Sequence, residues 1–244
     1  MTIQEVFGTD KPIIGMLHLR GYDREETMRI AREEIEMMIR CGVDAVLVEN
    51  YFGDTLDVID ALKMLKADYS DQVVYGVNVL GDFEMSCELA HRYGAKFMQV
   101  DSVCGHLNPN RDEAYGKMIA EVRAKYPVFV LGGVRFKYQP VLSGRSLEED
   151  LAIGMTRCDA IVVTGAGTGM DTDIEKISAF RGIMGDFPLI VGAGMTPESA
   201  PAQLAIADGG IVGSCFKYDG QAHNPMEEAR VRAFMHAAHP AQQD

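Results

Sequence analysis

Eight short apolar runs, separated by amphipathic stretches, recur along this 244-residue chain and leave few folds open to it. They are Pro12–Leu17, Asp44–Glu49, Val73–Val79, Lys96–Asp101, Pro127–Gly132, Asp159–Thr164, Pro188–Ala193 and Gly209–Ser214. Most are rich in Val and Ile, whose branched side chains suit strands. Several follow a glycine of the kind that ends a helix, as in Cys41-Gly-Val-Asp44 and Tyr93-Gly-Ala95. Between the runs, Glu25–Arg40, Phe83–Arg92, Glu113–Lys125 and Glu227–Ala238 space their apolar residues for helices. Repeated strand–helix alternation requires a parallel sheet with right-handed crossovers, and eight units is the number that closes such a sheet on itself. The expected fold class is therefore α/β, a single (β/α)8 TIM barrel over residues 1–244, with an open doubly wound sheet as the alternative. The end of the chain, Pro240–Asp244, is expected to fray.

The last two runs stop at glycines where a helix should begin: Pro188-Leu-Ile-Val-Gly-Ala-Gly-Met-Thr-Pro197 and Ala207-Asp-Gly-Gly-Ile-Val-Gly-Ser214. Late in a barrel, such a pair is suited to holding a phosphate, because glycines let backbone N–H groups approach an anion closely. Gly192, Ala193, Gly194, Gly213 and Ser214 are the candidate phosphate contacts, joined by Thr164 and Gly165 from the preceding loop. The stretch Thr164-Gly-Ala-Gly-Thr-Gly169 is not a dinucleotide fingerprint, since Met170 stands where a third spaced glycine is needed. It reads instead as a loop at the mouth, a lid or an anion nest, with Asp171 and Asp173 capping the next helix.

Side chains alternate faces along a strand, so one parity of each run points to the barrel axis. On that parity, His18, Glu49, Asn78, Asp101, Lys137 and Thr164 fall at the C-terminal ends of six runs, and Arg135 shares the Lys137 face. Taken singly, each has a plainer role: His18 as a core histidine, Asn78 and Asp101 as helix caps, Lys137 as a loop residue. Their coincidence at one end favours a site in which Glu49 and Asp101 share acid and base roles. His18 and Asn78 would orient hydroxyls, and Lys137 would stabilise developing negative charge. No cofactor is expected. His18, Glu49 and Asp101 leave a divalent metal open, although no H-x-x-x-H or paired-Asp motif accompanies them. No G-x-S-x-G elbow points to a serine hydrolase.

Thirty-six acidic against 23 basic residues give a net charge of −13. That balance argues against nucleic-acid partners and against docking on anionic membranes. A phosphorylated ligand must then be held by a local pocket. Five scattered cysteines without a C-x-x-C read as reduced thiols in the cytoplasm. No run approaches a membrane span, and no signal peptide is expected. Glu25, Glu26, Glu33, Glu34 and Glu36 read as a solvated helix face. Barrels of this size often associate, so a homo-oligomer is expected.

Several stretches resemble the BtpA/SgcQ family of (β/α)8 proteins. They are Lys11-Pro-Ile-Ile-Gly-Met-Leu-His-Leu19, Gly42-Val-Asp-Ala-Val-Leu-Val-Glu-Asn50 with Phe52-Gly-Asp54, Gly76-Val-Asn-Val-Leu80, Asp159-Ala-Ile-Val-Val-Thr-Gly165, Gly192-Ala-Gly-Met-Thr-Pro-Glu198, and Ala207–Ser214 with Lys217. Departures cluster at the mouth: Gly81 stands where the family usually has Arg, and Gln99-Val-Asp101, Cys104-Gly-His106 and Phe136-Lys-Tyr138 replace its usual segments. The resemblance implies the barrel. It suggests nucleosidase-like or sugar-phosphate chemistry, in a family named for a photosystem I biogenesis factor. Combined with the residue reading, the expected function is an enzyme on a phosphorylated sugar or nucleoside-type small molecule, with glycosidic-bond cleavage favoured. The alternatives are a sugar-phosphate epimerase, isomerase or aldolase, with Lys137 as a Schiff base, or a non-enzymatic assembly or ligand-sensing protein.

Overall fold

In the computed structural model, which describes residues 1–240, eight parallel strands close into a barrel in chain order, the first pairing with the last. The strands are β1 (Ile13–Leu17), β2 (Ala45–Glu49), β3 (Val74–Asn78), β4 (Phe97–Cys104), β5 (Phe129–Val134), β6 (Ala160–Val163), β7 (Leu189–Val191) and β8 (Gly210–Val212). Each lies within or beside an expected run. The fraying expected at Pro240–Asp244 falls, apart from Pro240, outside the described residues.

Helices α2 (Arg24–Arg40), α3 (Thr55–Met64), α4 (Phe83–Tyr93), α5 (Pro109–Lys125), α6 (Leu147–Gly154), α7 (Ile174–Met184), α8 (Ala200–Leu204) and α9 (Glu228–Ala238) wrap the strands. Both faces of every strand are covered, which explains why the runs read as nearly continuous apolar sequence. Strand parity separates two cores. Ile14, Met16, Ala45, Leu47, Phe97, Phe129, Leu131, Ala160, Val162, Ile190 and Ile211 fill the interior. Residues of the opposite parity, such as Val46, Val48, Met98, Val130 and Ile161, pack against the helices.

The N-terminal end of the barrel is sealed by α1 (Ile3–Phe7), a single turn of helix too short to announce itself by periodicity. A capping box between Thr2 and Glu5 starts it, and Gly8 in the left-handed conformation stops it. Its Phe7 ring packs 5.0 Å from Phe97 and 6.0 Å, edge-on, from Phe129, the first residues of β4 and β5. Only the opposite end of the barrel is left to bind a ligand.

Two local irregularities shape that end. In β4, Val100 pairs with Gly132 but Cys104 pairs with Val134, so β4 carries a bulge at Asp101–Val103. Gly133 permits it: a Cβ there would lie 2.0 Å from the Asp101 carbonyl oxygen. Bulges commonly re-aim a side chain beside a site. Beyond β5, Arg135 adopts φ 49°, which breaks the strand's alternation. The expected shared face of Arg135 and Lys137 is therefore corrected: Phe136 joins the interior core, and Arg135 turns to Asp150 instead.

Candidate active site

The open end holds a cavity of about 320 Å³. Its lining includes His18 just after β1, Glu49 on β2, Asp101 on β4 and Lys137 in the loop after β5. It also includes Gly192–Thr196 after β7 and Gly213–Cys215 after β8.

Glu49 and Asn78 are register partners on β2 and β3. Asn78 Nδ2 donates to Glu49 Oε2 at 2.8 Å, and both side chains are buried. Burial pushes the Glu49 carboxyl up to about 7, and the neighbouring Asp101 adds to the rise, while Lys137 and the Asn78 amide oppose it. Burial also raises Asp101, against the pull of Lys137 and Asn78. His18 is only 4% exposed. Burial, then Lys217 and Lys137, drive its pKa down to about 3, so the ring is neutral at physiological pH. Its Nδ1 has no hydrogen-bond partner among the described residues. The ring leans on Tyr51 at 5.1 Å between centroids.

Neither Asn78 nor Asp101 caps a helix; Asp82 and Asn108 do that work for α4 and α5. Asn78 and Thr164 do not line the cavity but stand behind residues that do. Thr164 Oγ1 accepts the Lys137 backbone N–H at 2.8 Å, and its carbonyl accepts Lys176 Nζ at 2.6 Å. Gly165 also lies off the cavity wall, packed on the Asp171 backbone. Among the described residues no three His, Cys, Asp or Glu side chains gather as metal ligands, so His18, Glu49 and Asp101 do not form a closed metal-binding set.

The loop between β6 and α7 covers the glycine turns. Gly194, at φ 75°, lies so close to this loop that a Cβ would come within 1.9 Å of the Met170 carbonyl oxygen. Thr172 Oγ1 donates to the Ala193 carbonyl at 2.9 Å, and the Thr168 N–H donates to the Tyr138 hydroxyl at 2.8 Å. Lys137 Nζ reaches Thr168 Oγ1 at 3.3 Å. The helix caps expected here are corrected. Asp173 occupies the N-cap position of α7 without a side-chain hydrogen bond, and Asp171 instead accepts from Gln203 Nε2 at 2.7 Å.

Beneath the turns, the backbone amides of Ala193, Gly194, Ser214 and Cys215 donate to no protein acceptor among the described residues. Gly213 sits against His18: a Cβ there would lie 2.9 Å from the ring Cε1. Behind them Lys217 is wholly buried, its Nζ 2.6 Å from Glu34 Oε1, with Arg20 Nε 3.5 Å from the same oxygen. Lys217 and Arg20 thus share one carboxylate in a buried ion-pair cluster. Glu34 therefore departs from the solvated face expected of it: it is buried because α2 packs it against Lys217 and Arg20.

A second buried network holds the loop that carries Lys137. Asp150 accepts from Arg135 Nε at 3.1 Å, Arg145 Nε at 3.0 Å and Ser143 Oγ at 3.0 Å. Asp112 accepts from Arg145 at 2.7 Å and Arg157 at 2.8 Å. Sequence spacing gave no sign of either network. Nor did it mark Arg230, in the first turn of α9, which also lines the cavity.

No helix among the described residues is long and apolar enough to cross a membrane. The fold is shared with solved barrels of low sequence identity. The native KDPGal structure aligns with TM-score 0.67 at 17% identity, covering 100% of both chains. Phosphoribosyl anthranilate isomerase from Thermus thermophilus aligns at 0.63 and 13%, covering 95% of this chain and 100% of that one. Thiamine phosphate pyrophosphorylase from Pyrococcus furiosus aligns at 0.62 and 13%, covering 96% and 97%. Sequence relatives span the chain. The putative sgc region protein SgcQ of Escherichia coli is 27% identical, covering 97% of each chain. The photosystem I biogenesis protein BtpA of Synechocystis is 24% identical, covering 97% of this chain and 91% of its own. An uncharacterized protein of Methanocaldococcus jannaschii is 28% identical, covering 93% and 95%. A family model described as the BtpA family matches residues 9–240, and the chain belongs to the BtpA family.

Proposed function

We propose that this chain is an enzyme that cleaves the glycosidic bond of a phosphorylated sugar or nucleoside-type molecule. The observation that carries the proposal is a shared cavity: Glu49 and Asp101 line the same space as the paired glycine turns. The free amides of Ala193, Gly194, Ser214 and Cys215 hold the phosphate there. The sugar then spans the cavity toward the acids. Glu49, titrating near 7, protonates the leaving group, and Asp101 as its carboxylate activates water for attack at the anomeric carbon. Neutral His18 hydrogen-bonds a sugar hydroxyl, Asn78 holds Glu49 in place, and Lys137 steadies negative charge that develops during the reaction. Tyr51, Leu80 and Tyr138 give the outer wall an apolar surface that suits a planar leaving group.

A thermal-shift screen against sugar phosphates and nucleotides identifies the ligand class, because a molecule that binds only the native state raises the melting temperature. Glu49→Gln and Asp101→Asn are each expected to lower turnover by about 10²-fold or more. Gly213→Asp, which drives a carboxylate into the His18 contact, is expected to abolish phosphate binding. Unchanged affinity in that variant refutes the placement of the phosphate.

A second reading, a sugar-phosphate isomerase, epimerase or aldolase, draws on Lys137, whose ammonium shares the cavity with both carboxylates. Borohydride trapping of a substrate on Lys137 favours it over hydrolysis. The Synechocystis relative motivates a third reading, an assembly factor. A stable protein partner, with no turnover across a phosphosugar panel, supports that one.

A further inference from the structure

We infer that Arg230 supplies the charge by which this site selects a phosphate monoester dianion over singly charged anions. The inference rests on the phosphate reading above and adds a residue outside both glycine turns. Arg230 lines the cavity beside Gly194, Ser214 and Cys215. Its Nε donates to the Cys215 carbonyl at 2.9 Å, which ties the guanidinium to the turn after β8. Both Nη groups are left without a protein acceptor among the described residues. Gly220 opens space beside them, since even a Cβ there would stand 3.8 Å from Nη2.

The charge is unusual for its setting. Among the described residues, Arg20, Arg123, Arg135, Arg145, Arg157, Arg181 and Arg230 are partly buried. The first six all pair with carboxylates. Arg230 alone does not, although the chain carries a net charge of −13 and offers carboxylates in excess. The exposed Glu198 feels its field but forms no ion pair with it. A cation held half out of water, oriented by one bond and unpaired, is poised for an anion from solution.

The chemistry sets the ligand. Backbone amides are neutral dipoles and accept any oxyanion. A guanidinium adds a full charge and two parallel N–H donors, a fork that matches two phosphate oxygens. A monoester above its second ionisation carries nearly two charges, whereas a diester or carboxylate carries one. The preference should therefore run through Arg230.

The test is a phosphorus NMR titration at pH 8 with methyl phosphate and dimethyl phosphate, which differ in charge but little in shape. Wild-type protein is expected to bind the monoester about tenfold or more tightly than the diester. Arg230→Gln should erase most of that preference by weakening the monoester. Arg230→Met keeps the packed stem and carries the same expectation should the glutamine variant fail to fold. Gly213→Asp should lose both ligands. If Gly213→Asp loses binding while both Arg230 variants keep the wild-type preference, the arginine's role is overturned and the cradle stands. If wild-type protein binds neither probe, the cradle reading and the arginine's role fall together.

Discussion

Asn78 Nδ2 donates to Glu49 Oε2 at 2.8 Å from the register position directly across β2 and β3. The bond favours the ionised carboxylate, while burial and Asp101 favour the protonated one. The balance near 7 leaves Glu49 able to give or take a proton at physiological pH.

Removing that bond should move the balance in a stated direction. In Asn78→Ala the ionised form loses its donor, so the Glu49 pKa rises above about 7. If Glu49 is the general acid, the alkaline limb of kcat/KM moves to higher pH in the variant. A pH–rate profile reads this directly. An unmoved limb assigns the ionisation to another group.

Glu49 also links folding to pH. Its carboxyl titrates near 7 in the folded chain against an ordinary value of 4.5. Between those values the folded state holds a proton that the unfolded state releases, so its contribution falls as pH rises. Glu49→Gln removes this penalty. The variant is expected to be more stable than wild type at pH 8, by on the order of 1–3 kcal/mol, with the difference shrinking toward pH 4.5. Urea unfolding at a series of pH values measures it.

Glu34 is the carboxylate shared by Lys217 and Arg20. Glu34→Gln leaves Lys217 buried without a counter-charge, at an expected cost of about 3–5 kcal/mol. The double variant Glu34→Leu/Lys217→Met, which removes both charges, should recover most of that loss. Denaturant midpoints for the single and double variants separate an ion-pair effect from simple packing damage. Equal losses in both exclude the ion-pair account.

Asp150 collects Arg135, Arg145 and Ser143 under the loop that presents Lys137. Asp150→Ala leaves the half-buried Arg135 guanidinium without a carboxylate and takes one of the two from Arg145, and should cost about 3–5 kcal/mol. Because the same loop forms part of the cavity, the variant should also lose ligand affinity. Hydrogen exchange is expected to rise first in residues 135–146, before the barrel strands lose protection.

The strand-parity rule carried far. It placed His18, Glu49 and Asp101 at the mouth because β1, β2 and the start of β4 alternate regularly. It failed beyond β5, where Arg135 turns left-handed and sends its side chain to Asp150 rather than to the mouth. It also overstated the ring itself. Asn78 and Thr164 have the right parity, yet they act as partners of Glu49 and of the Lys137 backbone, a distinction only hydrogen-bond geometry can draw. The acidic stretch of α2 looked like a uniform solvated face because nothing local marks Glu34 as the one that meets Lys217.

What the sequence alone determined is the eightfold strand–helix alternation, the parity of the strands and the two glycine stops. Each is a property of neighbouring residues, governed by backbone sterics and by burial at a fixed period. The tertiary structure alone decided the Phe7 plug, the Glu34–Lys217 pair, the β4 bulge beyond Val100, and the entry of Arg230 into the cavity. Those depend on barrel closure, which brings residues far apart in the chain into contact, and only then do desolvation and charge pairing select which groups stay ionised.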